Sequence, residues 1–327
     1  MLQLDNQTPF KASISVLPDR NGIDTVYVLV KATVNLLPKL ALAPEQSPPC
    51  LADEYYEDPA TSSLKQASEL HLGKPGTDVL LTGCARAAGG GSSEGLVVQL
   101  SVAERRKQVL VMGDRVWQRD GTPSQPLAFQ AMPLVWERAF GGDADERNPV
   151  GVGLRGKRRA EDLVGTPVPN LEDPGQLLQR LGDVAPPACF APLSPSWLPR
   201  RTFAGTYDAA WQKHRAPYLP DDFDPRFFQC APAELCFERH LQGGEEVHIE
   251  GASELGPIDF TIPAVRPIVA IDVDGHGEEP WANLETLLLE PDENRVSLTW
   301  RASLACDRKV LKVRKIEVRL RRSGSTR

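Results

Sequence analysis

No stretch of this sequence approaches eighteen uninterrupted apolar residues, so no transmembrane helix is expected. The opening residues, MLQLDNQTPFKASISV, lack both a basic region and an apolar core, and a secretory signal is not expected either. Cysteine pairs at metal or redox spacing are missing as well. Cys50, Cys84, Cys189, Cys230, Cys236 and Cys306 are scattered without a CxxC, and the five residues between Cys230 and Cys236 are a poor zinc spacing. Reduced, buried or half-buried thiols in a cytoplasmic protein are the expectation.

Signatures of catalysis are equally scarce. His71, His214, His240, His248 and His276 are dispersed, with no HExxH, and no Gly-x-Ser-x-Gly elbow occurs. The stretch GKPGTDVLLTG (73–83) lacks the P-loop order and reads as a turn leading into a strand at 78–81. GVGLRG (151–156) has dinucleotide-loop glycine spacing, but it follows Pro149 in an irregular context rather than a strand. No metal and no cofactor are expected.

The chain does have 29 prolines and 26 glycines, which implies many turns and short elements. It also has period-two alternation at both ends. In VSLTWRASLACD, Val296, Leu298, Trp300, Ala302, Leu304 and Cys306 share one face, which predicts a half-buried strand. VLKVRKIEVRLRR alternates too, with Leu311 and Val313 brought onto the face of Ile316, Val318 and Leu320 by a bulge near Arg314-Lys315. These two strands are expected to form a hairpin across Asp307–Lys309, the second an edge strand carrying the charges of Lys312, Arg314, Glu317, Arg319 and Arg321. VYVLVKATVNL predicts another strand, and EGLVVQLSVAERRKQVLVMGD two more around a charged turn at 104–107. Two short helices are expected, over DPGQLLQRLGD (173–183) and TYDAAWQKHR (206–215).

The net charge of −7 is uneven: nine Lys/Arg against two Asp/Glu from 307 to 327 give +7, leaving −14 before them. The alternation of that basic tail favours a solvated strand face over nucleic-acid contact. The predicted fold is mainly β, with antiparallel sheets in a β-sandwich-like arrangement, a long irregular middle segment and a few short helices. A single β-rich domain is expected over 1–322, open to division into lobes at 1–135 and 230–322 bridged by 136–229, with a tail at 323–327.

Three carboxylates crowd into YLPDDFDPRFF (218–228): Asp221, Asp222 and Asp224, among Tyr218, Phe223, Phe227 and Phe228. They fail as a calcium loop. Counted from Asp222, position six is Phe227 where glycine is needed, and position twelve is Ala233 where a glutamate belongs. Asp143 and Asp145 in GGDADERNPVG fail the same way, with Asn148 and Leu154 at those positions. A β-rich hydrolase or carbohydrate-active enzyme using Asp221, Asp222 or Glu137 is one reading. The other is structural: aspartates capping turns, pairing with Arg215 or Arg226 and making buried charged hydrogen bonds.

Two long blocks, MPLVWERAFGGDADERNPVGVG and LPRRTFAGTYDAAWQKHRAPYLPDDFDPRFFQCAP, resemble the bacterial domain of unknown function 2169 family, as do the weaker VKAT, GKPGTDVLLTG and VMGDRVW. The likeness runs from about Leu4 to Val318. It departs from the family pattern at Cys189 and Ala191, where glycines are usual, and at Gln229-Cys230, where Asn-Ala is usual. This resemblance implies a non-enzymatic, cytoplasmic adaptor or chaperone of type VI secretion. Its implied partner is a type VI effector protein, sometimes carrying a spike-tip domain, with the spike protein engaged indirectly and no nucleic acid or membrane involved. The motif residues that would carry partner contacts are Trp136, Glu137, Arg138 and Phe140 in the first block. In the second they are Trp197, Arg200, Tyr207, Asp208, Trp211, Arg215, Asp222, Asp224 and Phe227.

Overall fold

The computed structural model describes residues 3–153 and 160–320; the second half of GVGLRG, together with Arg321 and the tail, lies outside the described residues. Strands dominate, at 39% against 11% helix, and the sheets are mostly antiparallel. The largest sheet runs in the order Lys11–Pro18, Asp24–Asn35, Arg295–Ala305, Asn283–Glu290, Asp78–Leu81, with Ala41–Leu42 also paired to Asp24–Asn35. Only Asp78–Leu81 joins it in parallel. A four-stranded sheet orders Gln3–Asn6, Val313–Leu320, Pro267–Val273 and His276–Glu278. A five-stranded sheet orders Leu171–Glu172, Arg105–Met112, Gly95–Val102, Glu246–Glu250 and Ile258–Thr261.

Alternation explains which faces meet. Val26, Val28, Val30 and Ala32 lie across from Leu304, Ala302, Trp300 and Leu298. They share one apolar core with Val269, Ile271, Ile316 and Val318 of the second sheet and Val98, Leu100, Val109 and Ile249 of the third. Chain ends distant in sequence thus bury one another's apolar faces, the dominant favourable term in folding.

The sequence expectations were right about most strands and wrong about several details. Arg295–Ala305 is not half-buried, because Ser297, Thr299 and Arg301 on its polar face are buried too. The expected C-terminal hairpin does not form. Both edges of Arg295–Ala305 are taken by Asp24–Asn35 and Asn283–Glu290. The chain instead crosses through a 3-10 segment, Asp307–Lys312, and Val313–Leu320 inserts between two strands of another sheet rather than at an edge. The bulge is present, since Asp272 pairs with Lys315 and Val273 with Val313, leaving Arg314 as the extra residue. It joins Val313 to Ile316, but Leu311 is 94% exposed and belongs to the crossing, not the strand.

The helix expected over 173–183 is absent, and these residues form turns. Asp173 does cap, but it caps a turn, accepting from the Gly175 N–H at 2.7 Å. The turn expected at 104–107 is tighter than the charge run suggested, with strands resuming at Arg105. The second helix forms as Ala209–His214.

Candidate functional site

The segment 199–228 is held together by its own polar side chains. Asp208 caps Ala209–His214 by accepting from the Trp211 N–H at 2.8 Å. The Trp211 indole donates to Tyr218 O at 2.8 Å, and Tyr207 packs edge-on against it at 4.7 Å. Arg215 donates to Leu219 O at 2.8 Å and lies 3.2 Å from Asp221 Oδ1, while its other nitrogen reaches Arg20 O. A loop with one short helix thereby acquires a fixed shape.

The three aspartates have separate partners. Asp222 accepts from the Thr206 N–H at 3.0 Å and the Thr206 hydroxyl at 2.7 Å. Those hydrogen bonds, the backbone one first, hold its carboxyl below the ordinary range. The intervening Gly205 has φ +79°, and a Cβ there would meet Asp222 Oδ1 at 2.9 Å, so the approach depends on glycine. Asp224 caps the 3-10 turn Pro225–Phe228 and accepts from the Arg226 guanidinium at 2.8 Å. That contact lowers its pKa, and Arg226 in turn lies 4.3 Å from the centre of the Phe203 ring. The expected arginine pairing therefore holds for Asp221 and Asp224, whereas Asp222 pairs with threonine. Nor are these buried bonds: Asp221 and Asp222 are exposed at the surface and Asp224 is half-buried.

Most of the other motif residues point inward. Trp136 donates to Ala191 O and Pro192 O at 3.1 and 3.0 Å and meets Trp197 edge-on at 6.2 Å. Glu137 accepts from the Ser63 N–H and hydroxyl at 2.6 and 2.7 Å. Arg138 bonds Asp114 and Asn170, and Phe140 joins a small cluster with Trp117, Val168 and Leu178. Buried Arg200 donates to Phe227 O and Leu193 O at 2.7 Å each. The carboxylates weighed for hydrolysis each have their own partners: Glu137 is held by Ser63, Asp222 by Thr206, and Asp221 lies beside Arg215. No group of three or more His, Cys, Asp or Glu among the described residues could hold a metal.

A second polar constellation, which the sequence reading passed over, fills the polar face of the largest sheet. Lys31 lies 3.0 Å from Glu69 Oε2, and Thr299 donates to Glu69 Oε1 at 2.6 Å. Arg301 bonds Glu285 at 2.7 Å and Glu69 O at 2.6 Å, and Lys74 bonds Asp78 at 2.7 Å and Thr286 at 2.9 Å. Burial weighs against the Lys74 ammonium, but the Asp78 carboxylate outweighs it and its pKa is raised. His71, stacked on Phe228 at 5.0 Å, is pushed well below the usual imidazole range by burial, then by Arg301, Lys74 and Arg200. The adjoining cavity, lined by Lys31, Glu69, Lys74, Thr286 and Thr299, is about 20 Å³, room for about one water. Segment 69–78 is thus clamped to the sheet by ions. The signal for it was present in Lys31, a lone cation inside an apolar strand.

The model of a family described as an uncharacterized protein conserved in bacteria, DUF2169, matches residues 21–301. The chain belongs to the DUF2169 family. No curated protein and no solved structure matches it. In this DUF2169 chain both motif blocks lie within the matched region, and they divide by exposure. Trp136, Phe140, Trp197 and Arg200 are buried and build the scaffold. Tyr207 is 53% exposed and Tyr218 37%, with Asp208, Asp222 and Arg226 exposed beside them. No helix among the described residues is long and apolar enough to cross a membrane.

Proposed function

We propose that this DUF2169 protein is a non-enzymatic adaptor that holds a type VI effector in the cytoplasm and helps load it onto the spike tip. The observation that carries the reading is the division of the second motif block. Its carboxylates and arginines are spent on fixing the loop, while Tyr207, edge-on to half-buried Trp211, and Tyr218 remain exposed on it. Aromatic and arginine side chains on a rigid support are the residue types that dominate protein interfaces, because little conformational entropy is lost when they are covered. The resemblance of both blocks to a family implied to act in type VI secretion supports an effector as the class of cargo.

The test is co-purification from the native host with tagged wild-type protein and a Tyr207→Ala variant. Recovery of one toxin with the wild type, reduced with the variant, supports the adaptor reading. Equal recovery with both, or recovery of no toxin, contradicts it.

A further inference from the structure

The outermost strand of the largest sheet, Lys11–Pro18, is paired on one side only. Its register with Asp24–Asn35 runs from Lys11 opposite Lys31 to Pro18 opposite Asp24. One step further, the Asp19 N–H donates to Ile23 O at 2.8 Å, which makes the odd-numbered residues the hydrogen-bonded set. The neighbouring strand agrees: Cys306 N–H donates to Asp24 O at 2.9 Å, so even-numbered residues there bond the opposite neighbour. Ala12, Ile14 and Val16 therefore aim their N–H and C=O groups away from the sheet, and none of these groups has a hydrogen-bond partner among the described residues.

The open set ends sharply on both sides. Before it, the Phe10 N–H is bonded to Thr8 Oγ1 at 3.2 Å and Phe10 O accepts from Asn6 Nδ2 at 2.7 Å. After it, Pro18 has no N–H to offer. From Ala12 to Leu17 the strand has no charge, no proline and no bulge, the devices that normally protect an edge; its one charge, Lys11, stands at the end. The residues ASISV are also symmetric in kind about Ile14, with a serine on each side and then a small or branched apolar residue.

We infer that this edge pairs antiparallel with the same edge of a second copy of the chain, about a two-fold axis at Ile14. Ile14 faces Ile14 of the second copy, Ala12 faces Val16, Ser13 faces Ser15, and Lys11 faces Leu17, so no like charges oppose. This register pairs the N–H and C=O groups of Ala12, Ile14 and Val16 of both strands, as six hydrogen bonds, and stops where Phe10 is already satisfied and Pro18 cannot donate. Ile14 and Ala12 pack on the core, so the apolar face of the sheet continues across the junction. A contact of one strand is smaller than a standard interface, so the dimer is weak and concentration-dependent. It is independent of the adaptor reading.

Sedimentation equilibrium from micromolar to millimolar protein, with residue-resolved amide exchange, tests this. The expected result is a reversible rise toward twice the monomer mass. The amides of Ala12, Ile14 and Val16 gain protection with concentration, while those of Ser13 and Ser15 are protected throughout. Ile14→Pro removes the central outward donor. Val16→Lys places a charge on the edge at a position already 43% exposed, where the fold tolerates it. Val16→Lys, and Ile14→Pro if it folds, should stay monomeric. A monomeric wild type over the whole range, or a dimer that forms without protecting those three amides or survives Val16→Lys, would overturn the inference.

Discussion

Lys31 and Glu69 form an ion pair of 3.0 Å with both side chains buried, on the polar face of the largest sheet. Thr299 Oγ1 and the Cys50 N–H complete the carboxylate's contacts at 2.6 Å each. Removing one member leaves the other charged, buried and uncompensated. Glu69→Gln should therefore destabilise the fold by about 3–5 kcal/mol, read as a shift in the urea midpoint with an unchanged m-value. A loss under about 1 kcal/mol, the size of a surface pair, would show that the clamp is not needed.

His71 gives the fold a pH dependence whose sign is fixed by burial. Its folded pKa is lowered, so below about pH 6.5 the unfolded chain takes up a proton that the folded chain refuses. Its contribution is present above the unfolded pKa and lost as pH falls below it, by up to about 1.4 kcal/mol per pH unit. Glu285, 3.9 Å away, works against this shift, while Arg301, Lys74 and Arg200 support it. Denaturation curves between about pH 5 and 7 should show this slope, and His71→Gln should remove it.

Asp224 titrates in the opposite part of the scale. Its carboxyl is held low chiefly by Arg226, so its contribution is complete above the ordinary carboxylate range and lost as pH falls through the lowered value. Asp224→Asn should flatten the acid limb of the stability curve without moving the neutral plateau much, because the pair is partly solvated.

The Tyr207–Trp211 face is where cargo binding should be lost without loss of fold. Tyr207→Ala should weaken binding to the cognate effector by about 2 kcal/mol, roughly thirtyfold, by calorimetry, with an unchanged melting temperature. Trp211→Phe should cost less in binding and something in stability, because the indole N–H holds Tyr218 O.

Much of this architecture was legible because strand alternation reports burial locally. Val26 to Val34 and Val296 to Leu304 announced themselves, and the bulge at Arg314 was visible as a change of parity. Pairing was not legible: nothing in 295–320 says that the penultimate strand already has both edges occupied, one by Asn283–Glu290 just before it and the other by Asp24–Asn35 far away in sequence. The polar layer was missed for the same reason. Thr299 and Arg301 look like a solvated face until Glu69 and His71, remote in the chain, fold over them beside Glu285 of the neighbouring strand. Within the motif blocks, the aspartate–arginine ties and the Asp208 cap were readable as local turn chemistry. Which aromatics face outward was not, because buried Trp197 and exposed Tyr207 are both aromatics in one motif block with nothing in sequence to separate them.

The adaptor claim is tested most directly by the fate of one toxin in a strain lacking this protein. The account predicts that the cognate effector falls in abundance or is stranded in the cell, while spike-dependent secretion of other proteins continues. Complementation with the wild type should restore delivery, and Tyr207→Ala should restore it only in part. Normal delivery of every effector in the deletion strain, or loss of all type VI secretion, would contradict it.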